Sequence, residues 1–470
     1  MFLCWLSGND SHYHVTFFLL NLHIHVLGAD FAAAGGKVGT QHKNTCELPQ
    51  AVRSQEKSDV NSYEGEGKYF MRRHIYLSIL AYSLLILFLL SSCGGSSVSD
   101  TPTATAHPTM HTTAQPTPTA RPILSGIPGL KLPPGFQISV YATGLNIPRF
   151  ITIGPDGILL VADRGSGSVI ALPSGISPKK SGKPIVIASN LNNPTSLVMH
   201  EGYLYVGEGS SIARMALGND LKAGTLHRII TDLPEGGQHF TRTVLIGPDK
   251  HIYVSIGSDC NVCIETDPHR AAIWIYNMDG SNGRLFARGL RNAVGMAVNP
   301  STQEIWADVN GRDYLGDNTP PETVYALINQ GDYGWPRCHA GNIPDPTYGQ
   351  SAGACSGIQQ PLVKMQAHTA PLGMAFYPAG AKMFPRSYQN SLYVALHGSW
   401  NRTVPTGYKV VRIPLSNGKV AGPAEDFITG WLKDDGSVTG RPVGLAFAND
   451  GSLFVSDDKD GVIYHVWYTG

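Results

Sequence analysis

Ile151-Thr152-Ile153-Gly154-Pro155-Asp156-Gly157, followed by Leu159-Leu160-Val161-Ala162-Asp163, is the stretch that decides the fold. Two short apolar segments flank a Gly/Pro/Asp cluster, and such residues accept the backbone reversal of a β-hairpin. The same text returns as Leu445-Ala446-Phe447-Ala448-Asn449-Asp450-Gly451 before Leu453-Phe454-Val455-Ser456-Asp457. Between them, Ser196 to Glu208, Val244 to Gly257, Gly295 to Asp308 and Gly373 to Leu396 repeat the pair, so second strands begin near Leu159, Tyr203, Ile252, Ile305, Leu392 and Leu453. Each is followed by a third apolar strand, such as Val169-Ile170-Ala171-Leu172 or Ile273-Trp274-Ile275-Tyr276. Units spaced by about 45 to 60 residues, with one gap of nearly 90, fit four-stranded blades with insertions better than a two-sheet sandwich. The expectation is an all-β, six-bladed β-propeller over 129–470.

The chain has 35 basic and 35 acidic residues, so nothing in its overall charge favours a nucleic acid, and no local basic patch is visible. The 53 glycines and the lack of a sustained 3.6-residue period after about residue 130 argue for few helices. The one long apolar run, Ile75 to Leu90, follows Met71-Arg72-Arg73-His74 and precedes Ser91-Ser92-Cys93-Gly94. It reads as a signal peptide over 71–93; the alternative is a transmembrane helix, for which the run falls short of the ~20 residues a bilayer needs. Leu90-Ser91-Ser92-Cys93 resembles the bacterial lipobox, which implies lipidation of Cys93 and an extracytoplasmic, membrane-anchored lipoprotein. Residues 1–70 then read as an upstream extension or disordered leader with Met71 as the start. The Thr/Pro-rich stretch within 94–128 reads as a spacer unable to bury a core.

Seven cysteines are present, of which four fall in the propeller region. In an oxidising compartment Cys260 with Cys263, and Cys338 with Cys355, are the natural disulfides. A redox or metal role for Cys260-Asn261-Val262-Cys263 is the competing reading, but no second Cys-x-x-Cys accompanies it and no His follows Cys263 to mark covalent haem.

In a propeller the innermost strand of every blade lines the central channel, so its entrance residues converge. The entrances read Pro148-Arg149-Phe150, Pro194-Thr195-Ser196, His239-Phe240-Thr241-Arg242, Arg291-Asn292-Ala293, His368-Thr369-Ala370 and Arg441-Pro442-Val443. Arg149, Arg291 and Arg441 in matching positions of separate repeats would repel one another without an anion, so the funnel asks for a polyanionic ligand. The bland reading is that each arginine reaches water or pairs with a carboxylate.

His239 before Gly247-Pro248-Asp249, then Gly289-Leu290-Arg291-Asn292-Ala293-Val294-Gly295, Gly331-Asp332-Tyr333-Gly334-Trp335-Pro336, His397-Gly398-Ser399-Trp400-Asn401-Arg402 and Gly440-Arg441-Pro442-Val443-Gly444 resemble the soluble quinoprotein glucose and sorbosone dehydrogenase superfamily, nearest its sorbosone-type and fungal pyranose dehydrogenase branch. The resemblance implies pyrroloquinoline quinone (PQQ), a tricarboxylate ortho-quinone, together with Ca²⁺. Carried over by position, Arg149, Arg291, Asn292, His397, Asn401, Arg402 and Arg441 would contact the quinone, and Trp400 would cover its ring or else pack as core. Ca²⁺ would sit on backbone carbonyls of the Asp308 to Asp313 loop, at Gly311, Arg312 and Asp313. This chain carries Gly311-Arg312 where the glucose dehydrogenase branch has Gly-Pro, and a solvated acidic turn is the alternative there.

Oxidising a sugar hydroxyl removes a proton and a hydride, and His239, as a neutral imidazole poised near physiological pH, is the expected base; a structural hydrogen bond is its alternative role. The electron acceptor is not identified by any motif. Two rival readings are a Ca²⁺-dependent lactonase propeller, which needs axial carboxylates rather than arginines, and a non-enzymatic carbohydrate- or protein-binding propeller. Processing is directly testable: the exported protein should begin at lipidated Cys93, Cys93→Ala should abolish lipidation, and intact mass should find no Met1 terminus.

Overall fold

The computed structural model describes residues 126–175 and 180–470, with short strands at Cys4–Ser7, His14–Phe17 and Ile123–Leu124. The chain forms two units. In Met1–Thr113 the described elements are the antiparallel pair of Cys4–Ser7 with His14–Phe17, and Ala114–Gly470 holds the propeller. The expected signal peptide, Cys93 and most of the spacer lie outside the described residues. Among the described residues no helix is long and apolar enough to cross a membrane.

The opening hairpin forms as its residues dictate. Ile151, Thr152 and Ile153 pair with Val161, Leu160 and Leu159, and the reversal between them places Asp156 and Gly157 at positive φ, 53° and 77°. Blade 1 is completed by Ser168–Leu172 and Ile185–Ala188. Blades 2 to 5 begin at Ser196–His200, Arg242–Ile246, Ala293–Val298 and Pro371–Phe376; the first three each add three antiparallel strands, and blade 5 adds four, because Lys419–Val420 and Glu425–Ile428 both pair with Lys409–Ser416. Helix among the described residues is confined to one α-turn, Arg386–Gln389, and a 3₁₀ turn, Pro155–Gly157.

Blade 6 contains a feature that the repeat alone did not reveal. Its strands Pro442–Phe447, Leu453–Asp457 and Val462–Tyr468 are joined by Phe136–Ala142 from the start of the domain, so the ends of the ring are hydrogen-bonded into one sheet. Closure removes the two edges that an open ring would expose. Apolar residues then fill every seam between neighbouring blades: Leu160, Leu197 and Leu204 between blades 1 and 2, for example, and Ile273, Leu290 and Tyr325 between 3 and 4.

A bulge recurs at the channel end of the innermost strand in four blades, between Pro148 and Ile151, Ala293 and Met296, Pro371 and Met374, and Pro442 and Leu445. Bulges bend a strand and re-aim its side chains. Val294, Leu372 and Val443 gather in an apolar plug, with Phe150 against it, and Arg149 holds the register position in blade 1 that those three hold in their blades.

The gap of nearly 90 residues holds an insertion before the last strand of blade 4, Val363–Met365. Its Cys338–Cys355 disulfide and the Cys260–Cys263 disulfide both form. Gly331–Asp332 pairs in parallel with Ala287–Arg288 as a fifth strand of blade 3, and the Tyr333 hydroxyl donates to Ala326 O at 3.0 Å. The Gly331-to-Pro336 motif is thus a stitch between insertion and blades, and its Tyr333 and Trp335 line a small cavity with Arg291, Gly311 and Arg312.

Phe136 is 1% exposed and meets Phe384 and Phe427 edge-to-face at 4.8 and 5.0 Å, which makes it the anchor of the closing strand. Phe136→Ala should destabilise the domain by about 3 to 5 kcal/mol, read as a lowered urea midpoint; an unchanged midpoint would mean that closure contributes little.

Candidate active site

Pro148, Ala293, Pro371 and Pro442 all pair with the last residue of their second strands, which fixes the register of the channel mouth. Against that register Arg149 lies one residue inside the bulge, Arg441 one residue before the strand and Arg291 two before it. The expectation of equivalent positions is therefore corrected: the three converge from different heights. The register also exposes a set that the repeat had hidden, namely the residue just after each second strand: Arg164, Glu208, Gly257, Asn310, His397 and Asp458.

The picture of bare cations in a funnel is corrected as well. Arg149 Nη1 donates to Asp458 at 2.7 Å and Arg291 Nη2 donates to Asp313 at 2.8 Å. Buried guanidinium groups need such partners, because an unpaired charge is expensive to desolvate. Both carboxylates come from neighbouring turns remote in sequence. Arg441 instead donates to the carbonyls of His397 and Gly398, each at 3.0 Å, and no carboxylate among the described residues pairs with it. Arg164 likewise has no ion-pair partner among the described residues; it lies over the Phe240 ring at 4.1 Å, with its buried Nε unbonded.

His239 sits in the loop that leads into blade 3. Its Nδ1 lies 2.8 Å from Ser258 O, an acceptor only, so the neutral ring carries its proton on Nδ1 and leaves Nε2 as the basic nitrogen. No described residue bonds Nε2. Arg242, fully buried, fixes the loop by donating to His239 O at 3.0 Å and Pro234 O at 2.6 Å. Gly257 leaves room beneath: a Cβ there would lie 2.5 Å from His239 Cβ and 2.6 Å from Asn292 Oδ1. Burial, and then the nearby charge of Arg291, push the imidazole down to about 3, far below the near-neutral value expected of it.

Asp313 is the hub of the far wall. It accepts from Arg291 Nη2 and, at 2.6 Å, from Asn401 Nδ2, while its own N–H donates to Asn261 Oδ1 at 2.8 Å. The solvated-turn alternative for this loop fails: Asp308 is fully buried, accepts from Gly295 N at 2.8 Å, and is raised to about 8 by burial. Glu322, also buried, accepts from Gly311 N at 2.6 Å. The Arg312 side chain turns away to Asp345, which His339 also contacts, so only its carbonyl is available to a metal.

His397 donates through Nε2 to Asp458 at 2.8 Å, on the carboxylate that takes Arg149. Burial pulls His397 down to about 4. Burial would raise Asp458, but the His397 hydrogen bond and the Arg149 charge outweigh it and hold it at about 2. Trp400 is not core: it is 66% exposed and meets Tyr314, 70% exposed, edge-to-face at 5.6 Å, forming an aromatic lip. Arg402 is a brace for the lip, donating to Asp317 O and Ala367 O and to Asn318 Oδ1 at 3.4 Å.

Hydrogen bonds and ion pairs therefore join His239, Arg291, Asn401 and the Gly311–Asp313 loop on one side and Arg149, His397 and Arg441 on the other, with Arg402 and Trp400 at the rim. Sequence reasoning missed Asp458, Arg164 and Asn261; the acid ending the sixth second strand was the available clue to Asp458. A groove of about 400 Å³ beside Asp232, His269, Trp274 and Tyr276, at the outer seam of blades 2 and 3, takes none of the expected site residues.

The free donors suit an anion: Arg291 Nη1 and Arg441 Nη1 are unbonded by any described residue, and buried Arg149 Nε lacks a partner. The buried Asn292 Oδ1 and Asn401 Oδ1 also lack partners, and as acceptors they would take an N–H or O–H. Buried polar atoms are seldom left so in the absence of a ligand or water. Carbonyls at Gly311, Arg312 and Asp313 are hard oxygens of the kind Ca²⁺ takes.

Comparison with known proteins follows the same lines. An uncharacterised protein of Borreliella burgdorferi is 30% identical over 72% of this chain and 91% of its own length. The PQQ-dependent pyranose dehydrogenase of Coprinopsis cinerea is 27% identical over 70% of this chain, which spans about half (53%) of that enzyme. The holo form of its PQQ domain covers 73% of this chain and 100% of that domain at 25% identity, with a TM-score of 0.63. A calcium structure of the Trichoderma reesei carbohydrate-active family AA12 protein, 22% identical and covering 74% of this chain and 99% of its own, shares the fold with a TM-score of 0.64. The TrAA12-like family model matches residues 130–469, the whole closed ring from its first buried leucine onward, and the chain belongs to that family.

Proposed function

We propose that the protein is a PQQ- and Ca²⁺-dependent dehydrogenase that oxidises a hydroxyl of a pyranose or related sugar and passes the electrons to an acceptor not yet identified. The observation that carries the reading is the mouth itself: Arg291, with an unbonded donor, stands beside a histidine whose basic nitrogen is free, and Arg149 and Arg164 lie over the ring of the next residue, Phe240. Arg149, Arg291 and Arg441, with Asn292 and Asn401, would hold the carboxylates and quinone oxygens, and Gly311, Arg312 and Asp313 would hold the cation through oxygen. When bound, such a group supplies a two-electron acceptor polarised by the metal.

The chain's own residues do the rest. Nε2 of His239 accepts the hydroxyl proton while the adjacent C–H hydrogen departs with its electron pair. The Nδ1–H bond to Ser258 O sets the tautomer and aims the ring. Trp400 and Tyr314 present apolar faces at the rim, against which a sugar ring can lie while water is displaced. A lactonase reading would need free axial carboxylates, whereas Asp313 and Asp458 are both occupied by arginines. A pure binding propeller would have no use for a base held in one tautomer.

Export and a lipid anchor at Cys93 belong to the same proposal, supported by the two disulfides of the propeller, which suit an oxidising compartment. The functional test is to add PQQ with Ca²⁺ to purified apoprotein and follow the bound-quinone spectrum and dye-coupled sugar oxidation; no spectrum and no oxidation across a panel of pyranoses would refute it. His239→Gln should then lower turnover by about 10² to 10⁴, the usual value of general-base catalysis, with quinone occupancy nearly unchanged. Turnover within a few-fold of the parent would remove His239 from the mechanism.

A further inference from the structure

We infer that Asn261, enclosed by the Cys260–Cys263 disulfide, is a positioning residue that fixes the Arg291 guanidinium and the Asp313 loop against each other. Asn261 makes four contacts with these two segments. Its carbonyl accepts from Arg291 Nε at 2.9 Å, and its Oδ1 accepts from Arg291 Nη2 at 2.9 Å and from Asp313 N at 2.8 Å. Its Nδ2 donates to Asp313 O at 3.2 Å. One side chain thus reads both a donor and an acceptor on the same residue, which an amide does with its two ends and a carboxylate cannot. A carboxylate at 261 would set an oxygen against the Asp313 carbonyl.

Asn261 lies in the crossover between the strands Ile252–Ile256 and Ala272–Tyr276, a stretch with no regular structure of its own. Ordering such a loop on each binding event would carry an entropic penalty. Three local ties remove that freedom in advance. The disulfide closes a small ring about Asn261. Ser258 donates its N–H to Arg291 O at 2.7 Å and its hydroxyl to Cys260 O at 2.7 Å. Glu265 accepts from Asp259 N at 2.8 Å on the other flank. Because Ser258 O also receives His239 Nδ1, the same loop sets the base, the arginine and the oxygen-rich loop in one frame. This disulfide is therefore a clamp on the site; the second, Cys338–Cys355, lies in the insertion and reaches the loop less directly, through His339, which shares Asp345 with the Arg312 side chain.

The inference rests on the proposed quinone reading only for its kinetic consequence, so the test has two arms. In the first, hydrogen–deuterium exchange is measured on apoprotein without any cofactor, comparing the parent with Asn261→Ala and with Cys260→Ser/Cys263→Ser. Exchange in the peptide spanning 309–318, and above all at the Asp313 amide, should rise at least about tenfold in both variants, with the melting temperature and the protection of blades 1, 2 and 6 unchanged. In the second, PQQ with Ca²⁺ is titrated into each; affinity should fall about tenfold or more in both, and less in Cys338→Ser/Cys355→Ser. Unaltered exchange at 309–318 in Asn261→Ala, or a rise spread evenly over all blades, overturns the inference even if the double cysteine variant fails to fold. A parent protein that binds no quinone while the first arm behaves as expected would refute the proposed function and leave the clamp standing.

Discussion

The buried Arg291–Asp313 pair is the interaction around which the rest of the mouth is arranged. Neither partner can be buried alone, and neither comes with the other in sequence: Arg291 precedes the innermost strand of blade 4, while Asp313 follows its second strand. Desolvating two charges is repaid only when their remaining donors and acceptors are also satisfied. Asn261 from blade 3 and Asn401 from blade 5 do this from either side. Radial packing makes it feasible, since loops from successive blades meet at one point. The Arg149–Asp458–His397 triad repeats the solution across the seam of blades 5, 6 and 1.

The pairing also sets the chemistry. With two of its arginines neutralised, the mouth is less cationic than a list of its basic residues suggests, yet Arg164, Arg441 and Arg402 have no ion-pair partner among the described residues. Burial, added to the positive charges of Arg291, Arg242 and Arg270, is what holds His239 unprotonated. A base of such low proton affinity is a weak one. Negative charge brought against Arg291 offsets part of that positive field, so the ligand the site selects is also one that would strengthen its base. Binding and basicity are thus linked through the Arg291 guanidinium.

Much of this was legible in the sequence, for identifiable reasons. Hairpin text with Gly-Pro-Asp-Gly or Asn-Asp-Gly turns has a strict local meaning, so six blades could be counted from residue order alone. His239, Arg291 and Arg441 could be found because each stands within three residues of the start of an innermost strand, although not at one shared register. The closing strand Phe136–Ala142 could not, because its partner lies more than 300 residues away and its own pattern is that of any short strand. Asp458 was missed for the same reason, 309 residues from its arginine, whereas Asp313 was read as part of the metal loop and only the fold shows it paired with Arg291. Trp400 was ambiguous in sequence, since an indole serves equally in a core or on a lip, and only its exposure decides.

The linkage between cofactor charge and the state of His239 is the most direct point of attack. Histidine ring resonances should be followed by NMR as a function of pH in apoprotein and in protein loaded with PQQ and Ca²⁺, with His239→Gln identifying the signal. The group is depressed in the folded protein, so the account predicts a neutral ring from alkaline pH down to about pH 4 in the apo form, protonating only as pH falls through about 3. Loading should move the midpoint upward. A midpoint near 6.5 without cofactor, or one that does not move when the quinone binds, would contradict it.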